Sequence, residues 1–559
     1  MKKSAWFLVG LMLVLSMFLA ACSGGGETTT EPEEPAEETP AAEEPAEEPA
    51  SNDPVTGGDL IIGSTGAPTM FNTLYSSDAS SSDIEGMIFD SLMGSDLEFN
   101  PVTDGGLAET FDASEDGKEF TIKIVENAKF HDGEPLDADD VVFTYNIPLS
   151  PDYDGVRKSY FENIETVEKV DQYTVKFTLK QVDAQFPVVS LGFGILPEHI
   201  LGEVPVADMG EHEFNTKNPI GSGPFKFEEW KDGEYVKVVA NADYWDGRPY
   251  LDSITYKLVP DANAILAQLQ AGDIDYYAGI AQPDVPTVES FADAANLRLE
   301  SGLALSYTFL GFNQRIEKFQ DKNVRQAITH AIDRKAIVEN VMSGLGEVAH
   351  VPESPLSWAY NPDVPTFEYD VEKAKQMLAD AGWTPGSDGI LEKDGERFSV
   401  EVKTNQGNKV REDIVVILQQ QLKEVGIEIK PQIVEFSALI ADIDPGVWNF
   451  EGIVLGWSLG VDPDPSGIFH TKEIEAGLNF TGYSNPALDE LMDAQLQELD
   501  KEKRKAMIGE IQAGLAEDQP YTFLYYPEEF RAVPKNLEGY EFHPKNQMYH
   551  INKWWLKAE

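Results

Sequence analysis

A single cysteine in 559 residues is the strongest constraint on what this chain can build. One thiol forms no internal disulfide and no multi-thiolate metal site. The fold must be held by core packing and hydrogen bonds, and the length suffices for two or more lobes. The cysteine is Cys22, and what precedes it is an address. Lys2 and Lys3 give a basic start, and residues 5–21, AWFLVGLMLVLSMFLAA, carry no charge, the pattern of a secretion signal.

The signal ends in Leu19-Ala20-Ala21-Cys22, which resembles the lipobox of bacterial lipoproteins. That resemblance implies cleavage before Cys22, lipidation of Cys22 and an anchor on the outer face of the cell membrane. Two acyl chains hold a protein there stably where one does not. A lipidated Cys22 leaves no thiol for catalysis. Residues 23–53 then carry ten Glu and one Asp but no Lys, Arg or aromatic residue. Such a segment cannot bury enough apolar surface to fold, and its Pro-Glu repeats favour extension at roughly 3 Å per residue. The organisation expected at this end is a signal peptide over 1–21, then lipidated Cys22 and an acidic tether over 22–55.

Charge narrows the partners. With 98 acidic and 42 basic residues the formal net charge is −56, of which residues 54–559 carry −47. Nucleic acid is excluded as a partner for such a surface. Self-repulsion this strong points to surroundings where salt screens it. Past the leader no apolar run is long enough for another membrane span. There is no GxxxxGK[ST] phosphate loop and no HExxH zinc motif, and the eight histidines are dispersed. No cofactor and no metal is expected.

Strand and helix patterns mix throughout. GDLIIGS (58–64) reads as an opening strand, and KEFTIKIV (118–125) alternates as a half-buried strand does. IETVEKVD (164–171) with QYTVKFTLK (172–180) makes one hairpin, and FKFEEWKDGEYVKVVAN (225–241) another, turning at Asp232-Gly233. Residues 321–342 read as helix, with Val324, Ile328, Ala331 and Ile332 on its buried face. Residues 485–499 read as helix capped by Asn485, with Pro486 at its first position and a stripe of Leu488, Leu491, Met492, Leu496 and Leu499.

Several blocks in order resemble the extracellular solute-binding proteins of family 5, the oligopeptide, dipeptide and nickel receptors of ABC importers. They include AKFHDGEPLDADDVVFTYN (128–146), NPIGSGPFKFEEW (218–230), NVRQAITHAIDRKAIV (323–338) and NFTGYSNPALDELM (479–492). The likeness covers nearly all of residues 56–559. It implies an α/β fold, a large two-lobe clamp of the type II periplasmic-binding-protein kind. Lobe I would comprise 56–100, 218–303 and 530–559 with an inserted subdomain over 101–217, and lobe II 304–529. It implies a monomeric, non-enzymatic receptor that captures peptides outside the cell for an ABC importer, whose permease and ATPase subunits are its partners. A receptor of the same fold for oligosaccharides, nickel or another small solute is the alternative, and a secreted serine hydrolase is the alternative of another class.

Two short motifs have bland readings. Gly221, Gly223 and Pro224 in GSGPF precede a strand-like run, so they mark a tight chain reversal rather than a phosphate cradle. His131-Asp132 in KFHDGEP lies at a turn signal and reads as a structural loop, with Asp137 capping a helix from Ala138.

The stretch GWSLGVDPDPSGIFHTKE (456–473) carries three readings. Gly456-Trp457-Ser458-Leu459-Gly460 matches G-x-S-x-G, with Asp489 and His543 or His550 in a permissible triad order. That motif needs a helix directly after the serine. Pro463 and Pro465 stand where its first turns would lie. Asp462, Asp464 and Glu473 sit at EF-hand offsets, but strand and glycine precede them instead of helix. The third reading is a ligand wall. By resemblance the ligand-binding residues are Trp457, Ser458, Gly460, Asp462, Asn479, Tyr483, Phe71, Asn72, Tyr75 and Tyr307. Asp462 is the first carboxylate after Trp457, and whether it meets a ligand's amino terminus is left open.

Overall fold

Strand pairing in this chain keeps returning to one long segment near its end. The computed structural model describes residues 53–475 and 477–558. The leader, Cys22 and the tether as far as Asn52 lie outside the described residues. In chain order, β1 (Asp59–Ser64) is followed by α1 (Ala79–Ile88), whose first turn is capped by Asp78. Strands β2 (Ala108–Ala113) and β3 (Glu119–Ile124) precede α2 (Ala138–Leu149), and β4 (Ile164–Asp171) and β5 (Thr174–Leu179) follow it. Next come β6 (Phe225–Lys231), β7 (Tyr235–Ala240), β8 (Ser253–Leu258), β9 (Tyr277–Ile280), β10 (Leu297–Leu303) and β11 (Ser306–Phe312). Helices α3 (Lys322–His330) and α4 (Arg334–Val341) lead to β12 (Gly346–Val348) and β13 (Ser399–Asn405). The chain continues through α5 (Lys409–Glu424), β14 (Glu428–Val434), β15 (Gly452–Ser458), α6 (Pro486–Gln495), α7 (Lys501–Asp518) and β16 (Tyr521–Pro534).

Three larger sheets result. One has the order β1-β8-β7-β6, with β1 parallel to β8, and another is the antiparallel β2-β3-β5-β4. The third runs β9-β16-β11-β15-β13-β14, and β10 and β12 also pair with β16. The 14 residues of β16 pair with β11 through Tyr521–Tyr525 and with β10 through Glu528–Pro534. One strand therefore spans two parts of the molecule. On one face of the third sheet Leu310 and Val454 pack against Ile414 and Leu418 of α5. On the other, Phe309, Ile453 and Leu455 pack with Phe480, Tyr521 and Phe523. Leu60, Ile62, Ile84, Ile88 and Trp554 belong to a separate core.

Both expected hairpins form, and Gly233 takes φ 71° at the second turn. Asp137 caps α2 in a capping box with Asp140. The helical reading of 321–342 breaks in two, because Asp333 accepts the backbone N–H of Ala336 at 2.9 Å and starts a new helix. The 485–499 helix stops at Gln495, and Leu499 is 44% exposed rather than part of the buried stripe. Asp500 caps α7, so the chain must leave the helical path before it.

The two bland motifs meet. The His131 ring lies 3.0 Å from the Gly223 carbonyl and accepts the Gly221 N–H at 3.3 Å. Burial pushes its pKa down to about 4. Gly221 and Gly223 take no positive φ; a Cβ on Gly221 would lie 2.0 Å from the Ile88 carbonyl oxygen. Close packing on the end of α1 demands glycine here, where the chain bends over residues 222–224.

Candidate functional site

The strand β15 ends with its backbone open on one side. Antiparallel pairing to β11 covers its whole length, Ser306 opposite Ser458. On the other edge β13 pairs only as far as Lys403 opposite Ile453, and Thr404 Oγ1 donates to the Val454 carbonyl. The two strands then part. Leu459 N–H donates to the Leu305 carbonyl at 2.8 Å, so the amides of odd-numbered residues face β11. The N–H and C=O groups of Gly456 and Ser458 therefore face the edge that β13 leaves free. An extended chain can be added to such an edge as a further strand.

Trp457 points to the opposite face from its two neighbours. Its ring is half-buried, 6.1 Å from Phe480 and 6.5 Å from Phe309. Ser458 is exposed at the strand end, and its Oγ accepts from Lys545 Nζ at 3.1 Å. Gly460 is exposed too. These three stand at the accessible end of β15.

Asp462 does not. Its side chain is 6% exposed, and both oxygens accept from Arg504, each at 2.7 Å. Arg504 Nε also donates to Gln495, and Gln495 donates to Asp464 at 2.8 Å. Gln185, from the segment after β5, donates to Asp462 at 3.0 Å. The acidic bend is thus an internal polar network rather than a ligand wall. Burial pushes Asp464 up to about 6 and the adjoining Glu353 up to about 8.

The remaining expected residues are also engaged inside the protein. Asn479 is fully buried and donates to the carbonyls of His470 and Tyr483, so it ties a loop together. Tyr483 donates its hydroxyl to Asp518 at 2.7 Å. Phe71 is a core residue against Trp230. Asn72 donates to Asn215 at 2.9 Å, and Tyr75 to the Val206 carbonyl. Tyr307 is 1% exposed beneath Phe523. Each of these aromatic and amide groups thus has its partners within the protein.

Neither specific motif assembles. The first helix after Ser458 begins at Ser466, and Asp489 accepts from Thr471 N–H while His543 accepts from Lys545 N–H. Asp462 and Asp464 point into the Arg504 network, and no cluster able to hold a metal is found among the described residues.

A cavity of about 440 Å³ opens beside the bend. Glu85, Asp90, Arg157, Phe193 and Tyr244 line it, and Val461 reaches it from the bend. Asp90 accepts from Tyr244 Oη at 2.9 Å and from Trp245 Nε1 at 3.2 Å. Burial nevertheless pushes it up to about 6. Four carboxylates, Glu85, Asp90, Asp104 and Asp246, against Arg157 and Lys553 give the wall the same acidic excess as the chain.

Sequence reasoning missed Gln185, Gln495 and Arg504, because their partners lie far away along the chain. It also missed Arg411 and Lys545, which flank the β15 end. Arg411 left a trace. Lys409 has Asp413 four residues on, but Arg411 has no acid at helical spacing.

The profile of the bacterial extracellular solute-binding proteins, family 5 Middle, matches residues 103–476. The oligopeptide-binding protein AppA of Bacillus subtilis is 50% identical over 559 residues, covering 99% of each chain. The solved structure of AppA in complex with a nonapeptide aligns at TM-score 0.74 and 52% identity, over 91% of this chain and all of that one. CtaP of Listeria monocytogenes aligns at TM-score 0.80 and 28% identity, over 90% of this chain and all of that one. NikZ of Campylobacter jejuni, in complex with Ni(L-His), aligns at 0.75 and 26%, over 89% of this chain and 99% of that one. The architecture is the expected two-lobe α/β fold. By profile and by full-length similarity, the chain belongs to the bacterial extracellular solute-binding proteins of family 5.

Proposed function

We propose that this protein captures peptides outside the cell and delivers them to an ABC importer. The observation that carries the reading is the open backbone edge at Gly456 and Ser458. Every peptide presents the same N–H and C=O groups, so an added strand gives affinity that tolerates many sequences. The nonapeptide complex of AppA, a 52% identical chain, supports the same ligand class. Lobe I, its insertion and lobe II close on the ligand, and contacts to both lobes shift the population toward the closed form.

The leader and the Cys22 lipobox support an anchor on the outer face of the membrane, with the acidic tether as spacer. The protein acts as a monomer and leaves ATP hydrolysis to another subunit. It is a receptor and not an enzyme, in keeping with a strand end at Ser458 that bends away instead of starting a helix.

Native mass spectrometry of the purified protein tests the proposal. A ladder of co-purifying peptide masses supports it. A discrete sugar or metal-complex mass overturns the ligand while leaving the fold in place.

A further inference from the structure

Two crossings carry the chain between two cores. One core holds Leu310, Val454 and Met342, and the other holds Ile280, Val285 and Phe530. The first crossing runs from β10 to β11 through Ala304 and Leu305. The second is the middle of β16, which leaves β11 at Tyr525 and joins β10 at Glu528. Ala304 N–H donates to the Pro527 carbonyl at 2.8 Å, so the crossings are joined side by side. Strand β12 lies along the second, with Gly346 opposite Pro527 and Val348 opposite Tyr525.

The residues just before β12 are fastened to both cores. Met342 is 1% exposed in the core of Leu310 and Val454. Leu345, next but two, packs against the core of Ile280 and Phe530. Gln282, which follows β9, holds the Leu345 backbone there. Its Nε2 donates to the Leu345 carbonyl at 3.3 Å and to the Glu528 carbonyl at 3.2 Å. Between the two anchors Ser343 takes φ 56° and Gly344 φ 81°. A serine at positive φ is disfavoured and persists where surrounding contacts impose it. A Cβ on Gly346 would lie 2.6 Å from the Tyr526 carbonyl oxygen, so the segment lies tight on the crossing. The two parts also meet away from the crossings, where Ala184 N–H donates to the Leu496 carbonyl at 2.8 Å.

We infer that residues 343–348 form a strap that holds the clamp closed, with Leu345 as its anchor in lobe I and Gln282 as its catch. A turn of lobe II about the crossings carries Met342 with it and draws Leu345 from its seat. The strap therefore favours the arrangement in which Ala184 meets Leu496, and it does so before any ligand arrives. A closed form already populated lowers the share of the closing energy that ligand contacts must supply. The inference rests on the two-lobe clamp and not on what the clamp binds.

Amide hydrogen exchange on the ligand-free protein tests this at Ala184, whose N–H is held by Leu496 only while the two parts meet. In the wild type this amide is expected to exchange about tenfold or more below its unstructured rate. In Leu345→Ala and in Gln282→Ala it is expected to quicken about threefold or more, while Val175 in β5 and Leu418 in α5 keep their wild-type rates. Gln282 is half-buried, so its variant stays informative if Leu345→Ala fails to fold. An unchanged Ala184 amide in a folded variant shows a purely local role and overturns the inference. Quickening of Val175 and Leu418 along with Ala184 shows a general loss of stability and overturns it too. So does a wild type whose Ala184 amide already exchanges freely. None of these results touches the peptide reading, which the masses that co-purify decide separately.

Discussion

Arg504 grips Asp462 through two parallel hydrogen bonds of 2.7 Å, with both side chains 6% exposed. A pair this buried and this well matched is part of the framework. It removes the carboxylate that follows Trp457 from the groups free to meet a ligand.

Breaking the pair is expected to cost stability more than ligand discrimination. Removing one partner of a buried ion pair leaves the other charge uncompensated, at about 3–5 kcal/mol. Urea denaturation of Arg504→Met should show a loss of that order. The double variant Asp462→Asn, Arg504→Met should recover part of it. Asp462→Asn should bind amino-acetylated and free peptides in the same ratio as wild type. A ratio that collapses would return Asp462 to the ligand site.

Gln185 ties the segment after β5 to the bend, through Asp462 at 3.0 Å, and Ala184 N–H nearby donates to the Leu496 carbonyl at 2.8 Å. If these contacts belong to the closed clamp, Gln185→Ala weakens closure. A hydrogen bond to a charged group contributes about 1.5–3 kcal/mol. Ligand release measured by stopped flow should quicken roughly tenfold or more, with little change in association. An unchanged release rate would separate this contact from closure.

Glu353 sets a pH dependence with a definite sign. Burial raises its pKa to about 8 in the folded protein, so the folded state holds a proton that the unfolded state has lost. Stability from this group is unaffected below about pH 4.5 and falls as pH rises toward about 8, at about 1.4 kcal/mol per pH unit at most. Glu353→Gln should match wild type near pH 5 and exceed it in melting temperature at pH 9. Equal melting temperatures at pH 9 would contradict the assignment. His131, His350 and His543 act on the acid side, because burial lowers each to about 4. Their stability is present above about 6.5 and is lost as pH falls toward 4.

Gly221→Ala should be severe although no positive φ is involved. The added carbon would meet the Ile88 backbone oxygen at 2.0 Å, and a backbone atom cannot swing aside as a side chain does. A loss of about 3 kcal/mol or more is expected in urea titration, at the upper end for overpacking. A near-neutral variant would show that α1 can shift.

Local patterns were legible and distant partners were not. The alternation in 164–180 and the Asp232-Gly233 turn identify hairpins, because strand period and turn chemistry are written in adjacent residues. Asp333 was read as part of a continuing helix; a cap becomes decisive only once tertiary packing redirects the chain. At the site, the strand leading to Trp457 follows from sequence. The fates of Asp462, Asn479 and Tyr483 do not, since their partners Arg504, His470 and Asp518 are brought in by folding. A carboxylate in a glycine- and proline-rich bend looks free until an arginine 42 residues away closes on it.

Amide hydrogen exchange at single-residue resolution, with and without a bound nonapeptide, tests the central claim most directly. The account predicts that the amides of Gly456 and Ser458 slow at least tenfold on binding. Trp457 and Leu459, whose amides already face β11, should change far less. A peptide that binds tightly while Gly456 and Ser458 exchange at their free rates would contradict it.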